Sequence, residues 1–243
     1  MSILINRQQI NTNNKRLVGN KAFNLAFLTQ HGVKTPDFFV ISPSVFENRS
    51  LSRILENEII EYVDKLETDK FAVRSSATCE DGKNSSFAGQ FESYLGISRT
   101  QLLNAVIKCW RSAFSSSVET YCTYNEIKSD QIKMAVIVQK MINADKGGVI
   151  FTKNILQKND DIIIEAARGL GENIVSGLVD PERIILPRRG KNQSFKPEVL
   201  NAKELETLFN EGLRIEKLYD APQDIEWAIE NDELFILQTR PIT

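Results

Sequence analysis

Apolar positions in this chain follow two rhythms, one helical and one alternating. From Asn20 to Gln30, Ala22, Phe23, Leu25, Ala26, Phe27 and Leu28 crowd into a segment that begins behind Gly19 and stops at Gly32, a helix with both ends marked. Ser44 to Leu66 and Ala202 to Tyr219 also carry helical spacing, and so does a long stretch from Thr100 to Tyr124 with Leu102, Leu103, Val106, Trp110, Ala113 and Phe114. Short strand-like runs lie between them: Phe38–Ile41, Phe71–Arg74, Phe91–Ile97, Met134–Met141, Val149–Thr152, Asp161–Glu165 and Ile184–Leu186. Arg188 to Lys196 reads as a polar basic loop. Strands and helices mix without the regular alternation of a doubly wound sheet, so an α+β fold of two lobes is expected. Polarity interrupts the pattern near Ser129 to Lys133, which puts the expected division at 1–132 and 133–243.

The last strand pair holds the densest chemistry. Ile225-Glu226-Trp227-Ala228 and Leu234 through Ile242 flank a turn at Glu230-Asn231-Asp232-Glu233. Side chains alternate between the faces of a strand, so Gln238 and Arg240 share one face. In a hairpin Glu226 comes level with Gln238, and a carboxylate, an amide oxygen and a guanidinium then share one surface. The two oxygens suit a hard cation such as Mg²⁺, and the guanidinium suits phosphate oxygens. The same pattern also fits a solvated polar face.

Composition narrows the field. The chain has 243 residues, 42% hydrophobic and 26% charged, ordinary proportions for a globular protein. With 30 basic against 32 acidic residues and a net charge of −2, nothing points to a nucleic acid or an anionic membrane as partner. No apolar run reaches the roughly 18 residues of a membrane span, and the first residues lack the apolar core of a signal peptide. Cys79, Cys109 and Cys122 are odd in number and widely spaced, which fits buried thiols in a reducing cytoplasm. His31 is the one histidine and stands at a helix end before Gly32; this excludes Ser-His-Asp chemistry and multi-histidine metal sites.

Further cationic and small-residue elements join the hairpin. Arg74 ends a strand ahead of Ser75-Ser76-Ala77-Thr78, and after Glu80 and Asp81 the loop Asn84 to Gln90, with Ser86 and Gly89, lets backbone amides approach an anion closely. Lys21 stands near a helix start, where amides and the helix dipole attract anions. Each cation taken alone also fits a surface salt bridge. Ala135 to Ile142, with Gln139 and Met141, reads either as a core strand or as a strand whose end reads a purine edge. Glu165 to Glu172 fits a tight turn or a support for ribose or phosphate.

In this order, these segments resemble the N-terminal ATP-binding domain of phosphoenolpyruvate synthase, pyruvate phosphate dikinase and rifampin phosphotransferase. The pieces that carry the resemblance are Val73 to Thr78 with Glu80-Asp81 and Ser86 to Gln90, Gly169-Leu170-Gly171-Glu172 with Val175 to Pro181, and Ile225-Glu226-Trp227 with Gln238 to Thr243. The resemblance implies an ATP-grasp fold holding ATP and Mg²⁺ between two lobes. By matching position, Lys21 and Arg74 are implied phosphate ligands, Glu226 and Gln238 metal ligands, Arg240 a phosphate clamp, and Gln139 an adenine contact. It also implies a dikinase reaction: the β-phosphate of ATP passes to a carrier histidine, AMP is left, and the γ-phosphate ends as inorganic phosphate. Full-length members continue into substrate and phosphohistidine domains, so the carrier or acceptor is expected outside this chain; His31 matches a position that is not catalytic. Ser117 and Cys122 replace arginines usual in the family, and Lys153-Asn154 replaces its Asp-Pro. Two other classes stay open, an ATP-sensing module without catalysis and a kinase or ligase that forms ADP.

Overall fold

In a computed structural model, residues 3–46, 51–78, 91–124, 133–154, 157, 159–169, 171, 179–188 and 197–242 are described. The first half of the chain builds a sheet from β1 (Leu4–Asn6), β2 (Phe38–Ile41), β3 (Lys70–Ala77), β4 (Ser93–Ser98) and β5 (Met134–Lys140). Their order is β1-β2-β5-β3-β4, and every pairing is antiparallel. β5 is the middle strand; Met134 through Gln139 are all buried, as expected of a run rich in β-branched residues with helices over both faces.

α1 (Lys15–Gln30) covers one face and packs on β3 and β5. Val18, Ala22, Leu25 and Ala26 meet Val40, Ala135 and Ile137 there. On the other face α2 (Arg53–Asp64), α3 (Leu102–Arg111) and α4 (Ser116–Tyr124) close a larger core around Phe71, Val73, Val136, Val138 and Trp110. The expected long helix from Thr100 to Tyr124 is two helices broken at Ser112–Ser115. The Ser112 hydroxyl turns back to the Cys109 carbonyl at 2.6 Å, and the chain at Ser115 is extended.

The second half builds another antiparallel sheet from β6 (Lys146–Phe151), β7 (Ile162–Arg168), β8 (Glu182–Leu186), β9 (Gln223–Glu230) and β10 (Glu233–Pro241), ordered β10-β9-β6-β7-β8. α5 (Ala202–Tyr219) lies on one face, with Gly212 against Ile150. α5 starts where Asn201 and Glu204 cap each other, at 2.9 Å and 2.7 Å. Asn231 and Asp232 join β9 to β10 with φ of 51° and 63°, the left-handed pair that suits the twist of a tight hairpin.

The chain forms two compact units, residues 1–30 with 36–141, and 31–35 with 142–243. This differs from the expected division at 132/133. β5 sits between β2 and β3, so the first unit runs on to Met141, and the short stretch from His31 to Thr35 joins the second unit.

Candidate functional site: two polar faces

In the first unit the alternation of β3 and β5 sorts their side chains. Phe71, Val73 and Ala77 of β3 and Met134, Val136 and Val138 of β5 face the α2–α4 core, whereas Ala135 and Ile137 face α1. Arg74, Ser76 and Gln139 therefore lie on the α1 side. α1 carries a break at Gly19 (φ 77°, ψ 171°). A Cβ added at Gly19 would stand 2.1 Å from the Ser76 carbonyl oxygen, so only glycine lets the backbones meet. Beyond the break the Ala22 N–H donates to Ser76 Oγ at 3.2 Å. That bond ties the α1 backbone next to half-buried Lys21 to Ser76 of β3. Gln139 is 2% exposed, and its Nε2 has no hydrogen-bond partner among the described residues. A buried amide donor in that state is uncommon in folded proteins. Met141 follows β5 directly, and its N–H donates to Lys70 O at 3.1 Å.

In the second unit the face of the sheet opposite α5 carries a polar row. β9 and β10 place Gln238 directly opposite Glu226 and Arg240 directly opposite Asp224. Arg240 donates Nε to Asp224 Oδ2 at 2.8 Å, and its Nη2 lies 2.7 Å from the same oxygen. Gln238 is 9% exposed. Further along this face, Glu165 of β7 stands across Val149 from Glu226 and takes Arg183 Nε at 2.8 Å. A groove of about 230 Å³ bordered by Glu204, Leu208, Ile229 and Leu234 lies on the α5 side of the sheet, away from this row.

Among the described residues no group of three or more His, Cys, Asp and Glu side chains is arranged to hold a metal ion. Glu226 and Gln238, opposite each other across the hairpin, offer a carboxylate and an amide oxygen, donors that suit a hard cation that keeps water or phosphate oxygens in its remaining positions.

Seven of the nine residues singled out from the sequence thus fall into two sets. Arg74 and Gln139 share the α1 face of the first unit's sheet, with Lys21 on α1 itself and Met141 after the end of β5, and Glu226, Gln238 and Arg240 share one face of the second. Ser86 and Gly89 lie outside the described residues, as do Cys79, Glu80, Asp81, the loop 84–90, Leu170, Glu172, 175–178 and Thr243. Asp224 was not singled out; standing two residues before Glu226, it follows from the same alternation. Neither family-arginine position supplies a cation here. Cys122 is 3% exposed in the larger core, where burial pushes its thiol pKa up, and Ser117 is an exposed residue whose hydroxyl meets Ser115 Oγ at 3.0 Å.

The family described as pyruvate phosphate dikinase, AMP/ATP-binding domain, matches residues 43–197 and 189–243. The chain belongs to this family. It is 33% identical to a probable phosphoenolpyruvate synthase from Archaeoglobus fulgidus, over 96% of this chain and 41% of that protein. It is 34% identical to a rifampicin phosphotransferase from Bacillus cereus, over 71% of this chain and 23% of that protein. The chain therefore spans less than half the length of these curated relatives. Among solved structures it is similar to a D-alanine–D-alanine ligase from Helicobacter pylori, with a TM-score of 0.48 and 13% identity over 92% of this chain and 54% of that one. The α+β class expected from the sequence holds for this family member, and no helix among its described residues is long and apolar enough to cross a membrane.

Proposed function

We propose that this chain is an ATP-grasp nucleotide-binding part of a dikinase-type phosphotransferase, that it binds ATP with Mg²⁺, and that it works in the cytoplasm. The observation that carries the reading is the register of the closing hairpin, which sets Glu226 against Gln238 beside Arg240 in a member of an AMP/ATP-binding family. Glu226 and Gln238 would hold Mg²⁺, which when bound neutralises charge on the phosphates. Arg240, oriented by Asp224, offers a planar guanidinium to phosphate oxygens. Lys21 and Arg74 add cationic charge for phosphate, and Gln139 has a buried amide donor suited to an adenine acceptor. Ser86 and Gly89 belong to the proposed phosphate loop, and Met141 to the adenine contacts.

The proposed reaction breaks the bond between the α-phosphate oxygen and the β-phosphorus. A histidine nitrogen on a partner or a further domain attacks the β-phosphorus and takes the β- and γ-phosphates together, AMP leaves with the electron pair, and water then attacks the γ-phosphorus, so that the γ-phosphate departs as inorganic phosphate and the β-phosphate stays on the histidine. The chain's own residues bind and orient; the nucleophile comes from outside it.

Calorimetric titration with Mg-ATP tests binding, and Glu226→Gln should weaken it by about tenfold, the loss of a charged ligand worth about 1.4 kcal/mol. Absence of binding at millimolar ATP would remove the reading. Chromatography of the nucleotide product in the presence of the acceptor separates the alternatives: AMP supports a dikinase, ADP a direct kinase or ligase, and unchanged ATP a sensing module.

A further inference from the structure

We infer that the bulge at Leu237 creates the Glu226–Gln238 face and that Thr239 is the positioning residue that holds the bulge in register. The inference rests on the Mg-ATP reading of that face. From the turn to Ile236 the hairpin follows one register, Glu233 against Glu230 through Ile236 against Trp227. Beyond Leu237 it is displaced by one residue, and Gln238 meets Glu226. Continued without the bulge, the first register would set Gln238 against Ile225 and Arg240 against Gln223, on the side covered by α5. One extra residue therefore reverses the facing of everything after it.

The same reversal turns Thr239 to the α5 side, where it is fully buried. Its Oγ1 donates to Gln223 Oε1 at 2.9 Å. The Gln223 N–H donates to Thr152 Oγ1 at 2.8 Å, and the Thr152 N–H donates to Gln223 O at 3.0 Å. Arg188 donates to the Thr152 carbonyl and, at 2.8 Å and 2.6 Å, to the Glu216 carboxylate on α5. The polar chain is anchored at both ends, and Thr152, Gln223 and Thr239 have no exposed surface. In the slipped register Thr239 would leave this side and Gln223 Oε1 would lose its donor in a dry site, a penalty that favours the bulged register. Thr239 acts through Gln238 and Arg240 and touches no phosphate itself.

Two readouts test the assignment. In a Glu226→Cys and Gln238→Cys background, the disulfide between these positions forms readily only when they stand opposite each other. Peptide mapping should show it with Thr239 present, severalfold less with Thr239→Val, and restored with Thr239→Ser. In the otherwise unaltered chain, Thr239→Val should weaken Mg-ATP binding about tenfold while Thr239→Ser stays within about twofold and AMP affinity is unchanged, since Val removes the buried hydrogen bond to Gln223 that Ser keeps. If Thr239→Val does not fold, Gln223→Leu removes the same bond from its other end and should give the same two results. Undiminished cross-linking, or undiminished Mg-ATP affinity, in a variant lacking the bond overturns the assignment. If the wild-type chain binds no Mg-ATP, the functional reading falls, and the cross-linking arm alone decides whether Thr239 sets the register.

Discussion

At the scale of single residues, contact distances settle the role of Gly19. Its φ of 77° and ψ of 171° fall in a region that only glycine visits freely, and Ser76 O fills the place a methyl group would need. Gly19→Ala should cost about 3–5 kcal/mol, combining backbone strain with a clash against main chain. Chemical denaturation would measure that loss. On the proposed reading, surviving folded protein should also bind Mg-ATP more weakly, because the Ala22–Ser76 bond next to Lys21 is strained. The lysine was visible in the sequence as a cation near a helix start. The reason it needs glycine two places before it was not, because Ser76 is 57 residues further along.

At the scale of elements, α5 and the closing hairpin were legible almost to the residue. Each is built from local rules: apolar spacing with a capping box in α5, and a tight turn between alternating strands in the hairpin. That Gln238 and Arg240 share a face follows from alternation alone. Which face they take does not, because it depends on Leu237 bulging out, and the pairing of Gln238 with Glu226 is reached only through that bulge. β1 escaped notice because three residues are too few to show alternation. Placing β5 in the first unit needed the long-range pairings with β2 and β3, which a local change in polarity cannot reveal.

α5 also carries a pH-dependent tie. Burial alone would raise the Glu216 pKa, but hydrogen bonds from Arg188 and Thr152 outweigh it and hold the carboxylate below its ordinary value of 4.5. A depressed acid stabilises the fold above its unfolded pKa and loses that contribution as pH falls through the folded one. Glu216→Gln should therefore melt below wild type at neutral pH, with the gap closing as pH drops below 4.5. Melting temperatures across an acid series would show the convergence, and a constant gap would contradict it.

For the whole molecule, the proposed ligand links binding to stability. At about one hundred times its Kd, a ligand that binds only the folded state adds about 2.7 kcal/mol, or about 5–10 °C in Tm for a chain of this size. Mg-ATP should raise Tm by that order in a thermal shift measurement. AMP should raise it less, because the proposed grip of Glu226, Gln238 and Arg240 on metal and outer phosphates is unavailable to it.

The loop from His31 to Thr35 has a practical consequence for anyone dissecting this chain. It belongs to the second unit although the first surrounds it in sequence: Lys34 O accepts the Ile236 N–H at 2.9 Å, and Arg214 reaches His31 O at 2.6 Å. A fragment cut after Met141 to isolate 142–243 would leave that borrowed loop behind. Its outermost strand would then present a bare amide at Ile236 for other molecules to zip onto, inviting aggregation. A soluble half-protein would have to carry residues 31–35 grafted back.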